Sequence, residues 1–134
     1  MILVDAGPLV ALLHADDQHH QRCVAALRKI RAPLVTVWPA VTEAMYLLSF
    51  SPQAQQALWD RLAADVPRIL SLDRDDVPRL KELMWKYRDR PMDLADAALV
   101  HVAEREGLDT IFTIENADFG VYRLPQRKRF RILP

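Results

Sequence analysis

Five acids in this chain fall where a folded sheet would gather them: Asp5, Glu43, Asp93, Asp96 and Asp118. Asp5 ends the apolar run Ile2-Leu3-Val4, and Glu43 lies in the first turns of a helical pattern after Leu34-Val35-Thr36-Val37. Asp93 and Asp96 open another helical pattern just past Pro91, and Asp118 follows Thr110-Ile111-Phe112-Thr113. Two carboxylates ~4 Å apart repel by about 4 kcal/mol at an effective dielectric near 20. Three or four gathered together therefore need a cation or must take up protons. Oxygen ligands with no thiolate or paired imidazole select Mg2+ or Mn2+ over Zn2+. A divalent ion held this way activates water and stabilises an in-line displacement at phosphorus. The chemistry these residue types point to is metal-dependent hydrolysis of phosphodiesters.

Each acid has a purely structural reading when taken singly. Asp5 before Ala6-Gly7 suits a turn, and Glu43 suits a solvated helix surface near the positive end of the macrodipole. Asp93 suits an N-cap with Asp96 at the third helical position. Asp118-Phe119 suits a loop cap with an apolar anchor. What joins them is that all fall at the same end of successive strands.

The elements that must position them read off the pattern of apolar residues. Short strands are expected at Ile2–Val4, Leu34–Val37, Ile69-Leu70, Thr110–Thr113 and Phe130–Leu133. Between them run helical stretches: Leu9–Leu13 after Pro8, one from Asp16-Asp17 to Ile30, one opened by Pro39, one from Ser51-Pro52 to Ala64, one capped by Asp73, and Leu94–Glu106 stopped by Gly107. Strands alternating with helices imply parallel pairing with right-handed crossovers. The expected fold class is α/β, a three-layer α/β/α sandwich with a short, mainly parallel central sheet, filled by a single domain over residues 1–134. Ligands bind such sheets beyond the carboxyl ends of the strands, where the strand order reverses.

Composition narrows the class. Apolar residues are 51% and charged residues 27%, which excludes disorder, and the lone cysteine excludes an internal disulfide and fits a reducing cytoplasm. The start, Met1 to Asp5, does not read as a signal peptide, and no apolar run reaches the ~20 residues of a membrane span. Formal net charge is zero, but Arg123 to Pro134 hold five bases and no acid, leaving 13 bases against 18 acids, a formal −5, in Met1 to Tyr122. An acidic body with a basic tail does not resemble a general polyanion binder.

Val4-Asp5 with Gly7-Pro8-Leu9-Val10-Ala11-Leu12-Leu13, then Val41-Thr42-Glu43, Pro91-Met92-Asp93-Leu94-Ala95-Asp96-Ala97, and Thr113 with Asp118-Phe119 resemble the PIN domain, and within it the VapC-type toxins of bacterial toxin–antitoxin pairs. The resemblance spans almost the whole chain, in order and spacing. It implies a Mg2+- or Mn2+-dependent endoribonuclease acting on RNA, a homodimer, and a small antitoxin protein that inserts a segment near the site. Carried over by position, it implies Asp5, Glu43, Asp96 and Asp118 as catalytic acids, with Asp5, Asp96 and Asp118 holding metal and Glu43 orienting or deprotonating the attacking water. Asp93 matches a position that is acidic in many relatives. Thr113 matches a small hydroxyl residue that steadies a metal-bound water or a carboxylate. The sequence departs from the pattern where many relatives have an aspartate two residues after that threonine: here stands Glu115, so either Glu115 or Asp118 supplies the last ligand.

Other readings are open on the sequence: a PIN nuclease of RNA processing or repair, or a catalytically silent binding module of the same fold. In the basic tail, Arg123, Arg127 and Lys128 are candidates to meet RNA phosphates, against a solvated tail or a contact with an acidic antitoxin segment. His19-His20 with Cys23 supply only part of a zinc ligand set. Trp38, just ahead of the helix carrying Glu43, is the one tryptophan placed near the chemistry.

Overall fold

β1 (Ile2–Val4) and β4 (Thr110–Phe112) are adjacent in space although most of the chain lies between them, and that adjacency decides where chemistry can happen. The computed structural model describes all 134 residues, Met1–Pro134. Around these two strands a five-stranded sheet is ordered β3-β2-β1-β4-β7, with β2 at Leu34–Thr36, β3 at Arg68–Ile69 and β7 at Arg131–Leu133. Every pairing in it is parallel. From β1 the chain steps outward to β2 and β3, then returns to the other side of β1 for β4 and β7, so the order reverses between β1 and β4. The crevice at the carboxyl ends of these two strands is where such a sheet offers a site.

Helices cover both faces. α1 (Ala6–Leu13), α2 (His20–Lys29) and α4 (Pro52–Ala63) bury Leu9, Val10, Cys23 and Leu58 on one face, against Val4 and Phe112. α5 (Val77–Lys86) and α6 (Leu94–Glu106) bury Leu83, Leu99 and Val102 on the other, against Leu3, Val35 and Ile111. α3 (Trp38–Leu47) reaches both layers, its Ala40 in one core and its Ala44 in the other. β1 is wholly apolar because helices cover it on both sides, whereas the edge strands β3 and β7 carry the exposed Arg68 and Arg131. The α/β/α sandwich with a parallel sheet is the expected one, and no helix is long and apolar enough to cross a membrane.

Several boundaries differ from the expectation. α1 begins at Ala6 rather than Leu9, because Asp5 is its N-cap. α2 starts at His20, the Asp17 carboxylate instead accepting from the His19 amide at 2.8 Å. The third strand is Arg68–Ile69 rather than Ile69-Leu70, although the Leu70 amide still donates to Thr36 at 2.8 Å. The stretch after β4 forms a short helix, α7 (Asn116–Val121), and the basic tail folds into an antiparallel pair, β5 (Arg123–Leu124) with β6 (Lys128–Arg129). Gly107 ends α6 in the left-handed conformation (φ 69°), as its position after the apolar stripe predicts.

Candidate active site

Asp5 leaves the carboxyl end of β1 in extended backbone and turns its side chain into the crevice. Its Oδ1 accepts from the Ala6 amide at 2.8 Å and its Oδ2 from the Thr113 hydroxyl at 2.9 Å. Thr113 follows β4, so this bond ties the two strands together where the sheet order reverses. The same hydroxyl oxygen accepts from the Glu115 amide at 3.0 Å, which fixes the loop after β4. Gly7 permits the approach: a Cβ there would overlap Cγ1 and Cδ1 of Ile114. Asp5 is only 4% exposed, and burial raises its pKa. Its hydrogen bonds to Ala6 and Thr113 oppose the rise, while the charges of Asp93 and Glu115 add to it.

α6 presents the next pair. Asp93 is its N-cap, accepting from the Asp96 amide at 2.8 Å. Asp96, at the third helical position, accepts from the Tyr122 hydroxyl at 2.7 Å. Burial pushes the Asp96 pKa up to about 7; the Tyr122 bond works against this, and the charges of Asp93, Asp5 and Asp118 work for it. Tyr122 is itself fully buried, edge-on to Tyr87 and Phe119 with ring centroids 4.9 and 5.1 Å away. Burial, and then its bond to Asp96, hold its hydroxyl protonated far above the ordinary range.

Glu43 rises from α3, whose entry is set by Pro39 in the first turn. Its pKa is raised by partial burial and by the charges of Asp5, Asp93 and Glu115. Glu43 and Asp93 line a common cleft of about 710 Å³ walled by Trp38, Tyr46 and Leu94. Asp118, on α7, stands 3.7 Å from the Arg90 guanidinium.

The structure thus brings together Asp5, Glu43, Asp93, Asp96, Glu115 and Asp118, each within the electrostatic field of others in the set. The charge of Glu115 raises the pKa of Asp5 and of Glu43, and that of Asp118 raises the pKa of Asp96. No three of the chain's His, Cys, Asp or Glu side chains stand at direct ligating spacing. The donor set is nonetheless all oxygen and mutually repulsive, and each oxygen of Asp5 keeps a lone pair beyond its one hydrogen bond. Those features fit a hard divalent cation with waters completing its shell.

The three tail residues do not join this group. The Arg123 guanidinium donates to the carbonyls of Gly120, Val121 and Tyr122 at 2.6, 2.8 and 3.1 Å, closing the end of α7. Lys128 pairs with Asp109 at 3.0 Å. Arg127 lines a groove with Arg79 and Glu104, and Glu104 lies eight residues, ~12 Å, along α6 from Asp96. Two residues that the sequence did not single out do join it: Tyr122 and Arg90. No local pattern marks either one, since both reach the site only through tertiary packing. The His20 ring shares a 2.6 Å hydrogen bond with the Ala11 carbonyl, and Cys23 is fully buried.

A profile of the PIN domain family matches residues 2–123. The chain belongs to the PIN domain family. Among curated relatives it is 24% identical over 135 residues to Ribonuclease VapC26 of Mycobacterium tuberculosis, covering 99% of this chain and 100% of that one. Solved structures of similar fold include M. tuberculosis VapC20, described as a Sarcin-Ricin loop cleaving toxin (TM-score 0.79, 19% identity, 87% of this chain and 91% of that one). A toxin–antitoxin complex from Klebsiella pneumoniae follows at TM-score 0.67, 19% identity and coverage of 90% and 92%. FitAcB from Neisseria gonorrhoeae follows at 0.65, 19%, 89% and 91%. In this PIN chain the acid-lined crevice sits at the reversal of strand order, the position the fold reserves for ligands.

Proposed function

We propose that this PIN domain, as a single unit over residues 1–134, is a VapC-type endoribonuclease of the cytoplasm, the toxin of a toxin–antitoxin pair acting on RNA with Mg2+ or Mn2+. The observation that carries the reading is the buried Asp5, bonded across the strand reversal to Thr113 and sharing a field of negative charge with Asp96 and Glu43. Likeness over nearly the whole chain to a ribonuclease, and of fold to a toxin and a toxin–antitoxin complex, support it.

Asp5 and Asp96 would hold the cation, with Asp118 or Glu115 as the further ligand. When bound, the cation lowers the pKa of water and offsets charge developing at phosphorus. Thr113 orients Asp5 by donating to its Oδ2 while the Ala6 amide holds its Oδ1, each oxygen keeping a lone pair for the ligand. Tyr122 orients Asp96 by donating to its Oδ2 and leaving its Oδ1 to the ligand. Glu43, its pKa moved toward neutrality, takes the proton of the attacking water. That water's oxygen forms the new bond to phosphorus, the bond to the leaving ribose oxygen breaks, and the leaving oxygen takes a proton from solvent. An antitoxin segment would cover the cleft beside Glu43, and a homodimer would bury part of the exposed Tyr46, Leu47 and Phe50.

Asp5→Asn tests the reading. The amide keeps an oxygen for the Ala6 amide but removes the charge. Cleavage of RNA in Mg2+ or Mn2+ is expected to fall to background with an unchanged circular-dichroism spectrum. Cleavage at the parental rate overturns the assignment.

A further inference from the structure

Cations on this molecule are not where the acids need them. The cleft beside Glu43 and Asp93 is lined by no lysine or arginine, and Arg90 is held against Asp118. A phosphate strand laid along the acid edge would find charge of its own sign.

Another cleft, of about 820 Å³, opens between α2 and the edge strand β7. Arg22, Lys29, Arg31 and Arg131 line it, and no aspartate or glutamate side chain does. All four bases are exposed, and none is in an ion pair. Arg31 donates only to the carbonyls of Arg28 and Ile30, at 2.7 and 3.5 Å, so its charge is uncompensated. Arg22 and Lys29 are seven residues apart, two turns along one face of α2, with only Ala25 and Ala26 between them on that stripe. The small alanines keep the groove open, while Ile2 and Leu133 give it an apolar floor. Ile2 precedes Asp5 by three residues and Thr110 precedes Thr113 by three, so this cleft begins about one strand length, ~10 Å, below the acids.

We infer that this cleft grips the phosphate backbone of the RNA that is cut at the acid edge, an inference resting on the nuclease reading above. Grip and cut are then separate surfaces, and the substrate is an RNA long or folded enough to reach both. The apolar floor takes a ribose or base face, and the four bases take phosphates.

The test is fluorescence anisotropy of a labelled stem-loop RNA, titrated against KCl in EDTA, using Asp5→Asn protein so that nothing is cut. Adding Lys29→Gln and Arg131→Gln is expected to weaken binding about tenfold at low salt and to flatten the slope of log affinity against log salt by about 0.7–0.9 for each substitution. Arg61→Gln and Arg74→Gln, exposed bases outside the cleft, are expected to leave that slope unchanged. All of these side chains are exposed, so matching melting curves confirm that folding is intact. Unchanged affinity and slope in the cleft variants overturn the proposal. So does an equal loss in the outside variants, or, with decanoate titrated as a second probe, cleft variants that keep RNA affinity and lose only decanoate, which makes the cleft a site for an anionic amphiphile instead. Binding that follows the cleft in a protein whose parent shows no metal-dependent cleavage rejects the nuclease reading and leaves the cleft standing.

Discussion

Asp5 and Asp76 are both buried carboxylates, 4% and 7% exposed, yet they sit in opposite electrostatic settings. Asp76 lies where α5 meets α6: its Oδ1 shares a 2.6 Å bond with His101 and lies 3.2 Å from the Arg105 guanidinium, and its Oδ2 accepts from the Asp73 amide at 2.8 Å. The His101 bond leads in pulling its pKa down to about 2. Asp5 has two neutral donors and no base, and its charged neighbours are Asp93 and Glu115. One carboxylate is completed by the fold; the other is left incomplete at the strand reversal. A buried acid surrounded by bases holds structure together, and a buried acid surrounded by acids marks a place for something the chain does not itself supply.

The largest way to break this contrast, beyond the loss of activity in Asp5→Asn, is Asp76→Ala. It strands the part-buried His101 and the Asp73 amide and takes the partner from the exposed Arg105, and about 2–3 kcal/mol of stability is expected to go. Denaturant unfolding measures this, and cleavage per folded molecule is expected to hold. A stable Asp76→Ala protein erases the distinction. Next in size is Tyr122→Phe, which removes the one donor to Asp96 and is expected to lower cation affinity or cleavage about 10- to 100-fold, with little change in melting.

Much of this contrast was legible in the sequence on the Asp5 side and little on the Asp76 side. Asp5 directly follows an apolar run, Asp93 and Asp96 have helix-start spacing, and Thr113 ends a strand, so local pattern plus parallel topology sufficed to gather them. Asp76 is one of three acids near a helix start and no local pattern sets it apart, because its partners His101 and Arg105 lie 25 and 29 residues away. Tyr122 and Arg90 were hidden for the same reason. α7 is six residues with a glycine and an asparagine, too short to show a period, and it reads as loop. The basic tail read as free charge because nothing local pairs Lys128 with Asp109 or folds Arg123 over the end of α7.

Acidity separates the two carboxylate environments with opposite signs. Asp76 titrates near 2 in the fold, against ~3.9 unfolded, so its contribution, roughly 2 kcal/mol, is complete above pH ~4 and is lost as pH falls toward 2. Asp96 titrates near 7 in the fold, so its cost is absent below pH ~4, grows as pH rises from ~4 to ~7, and is complete above that. Thermal melts in EDTA are expected to show a lower midpoint at pH 8 than at pH 5.5, with Asp96→Asn narrowing the gap and Mg2+ restoring more at the higher pH. An equal gap in the Asp96→Asn protein removes Asp96 as its source. Smaller still, Gly7→Ala is expected to cost about 1 kcal/mol by pushing Ile114 and so loosening the Asp5–Thr113 contact.

The most direct measurement is a Mn2+ titration of the purified protein followed by electron paramagnetic resonance, with Asp5→Asn and Asp76→Asn beside the parent. Saturable loss of the free-ion signal is expected for the parent and for Asp76→Asn, and none for Asp5→Asn. Equal Mn2+ uptake by parent and Asp5→Asn would show that the acids at the strand reversal do not hold the ion.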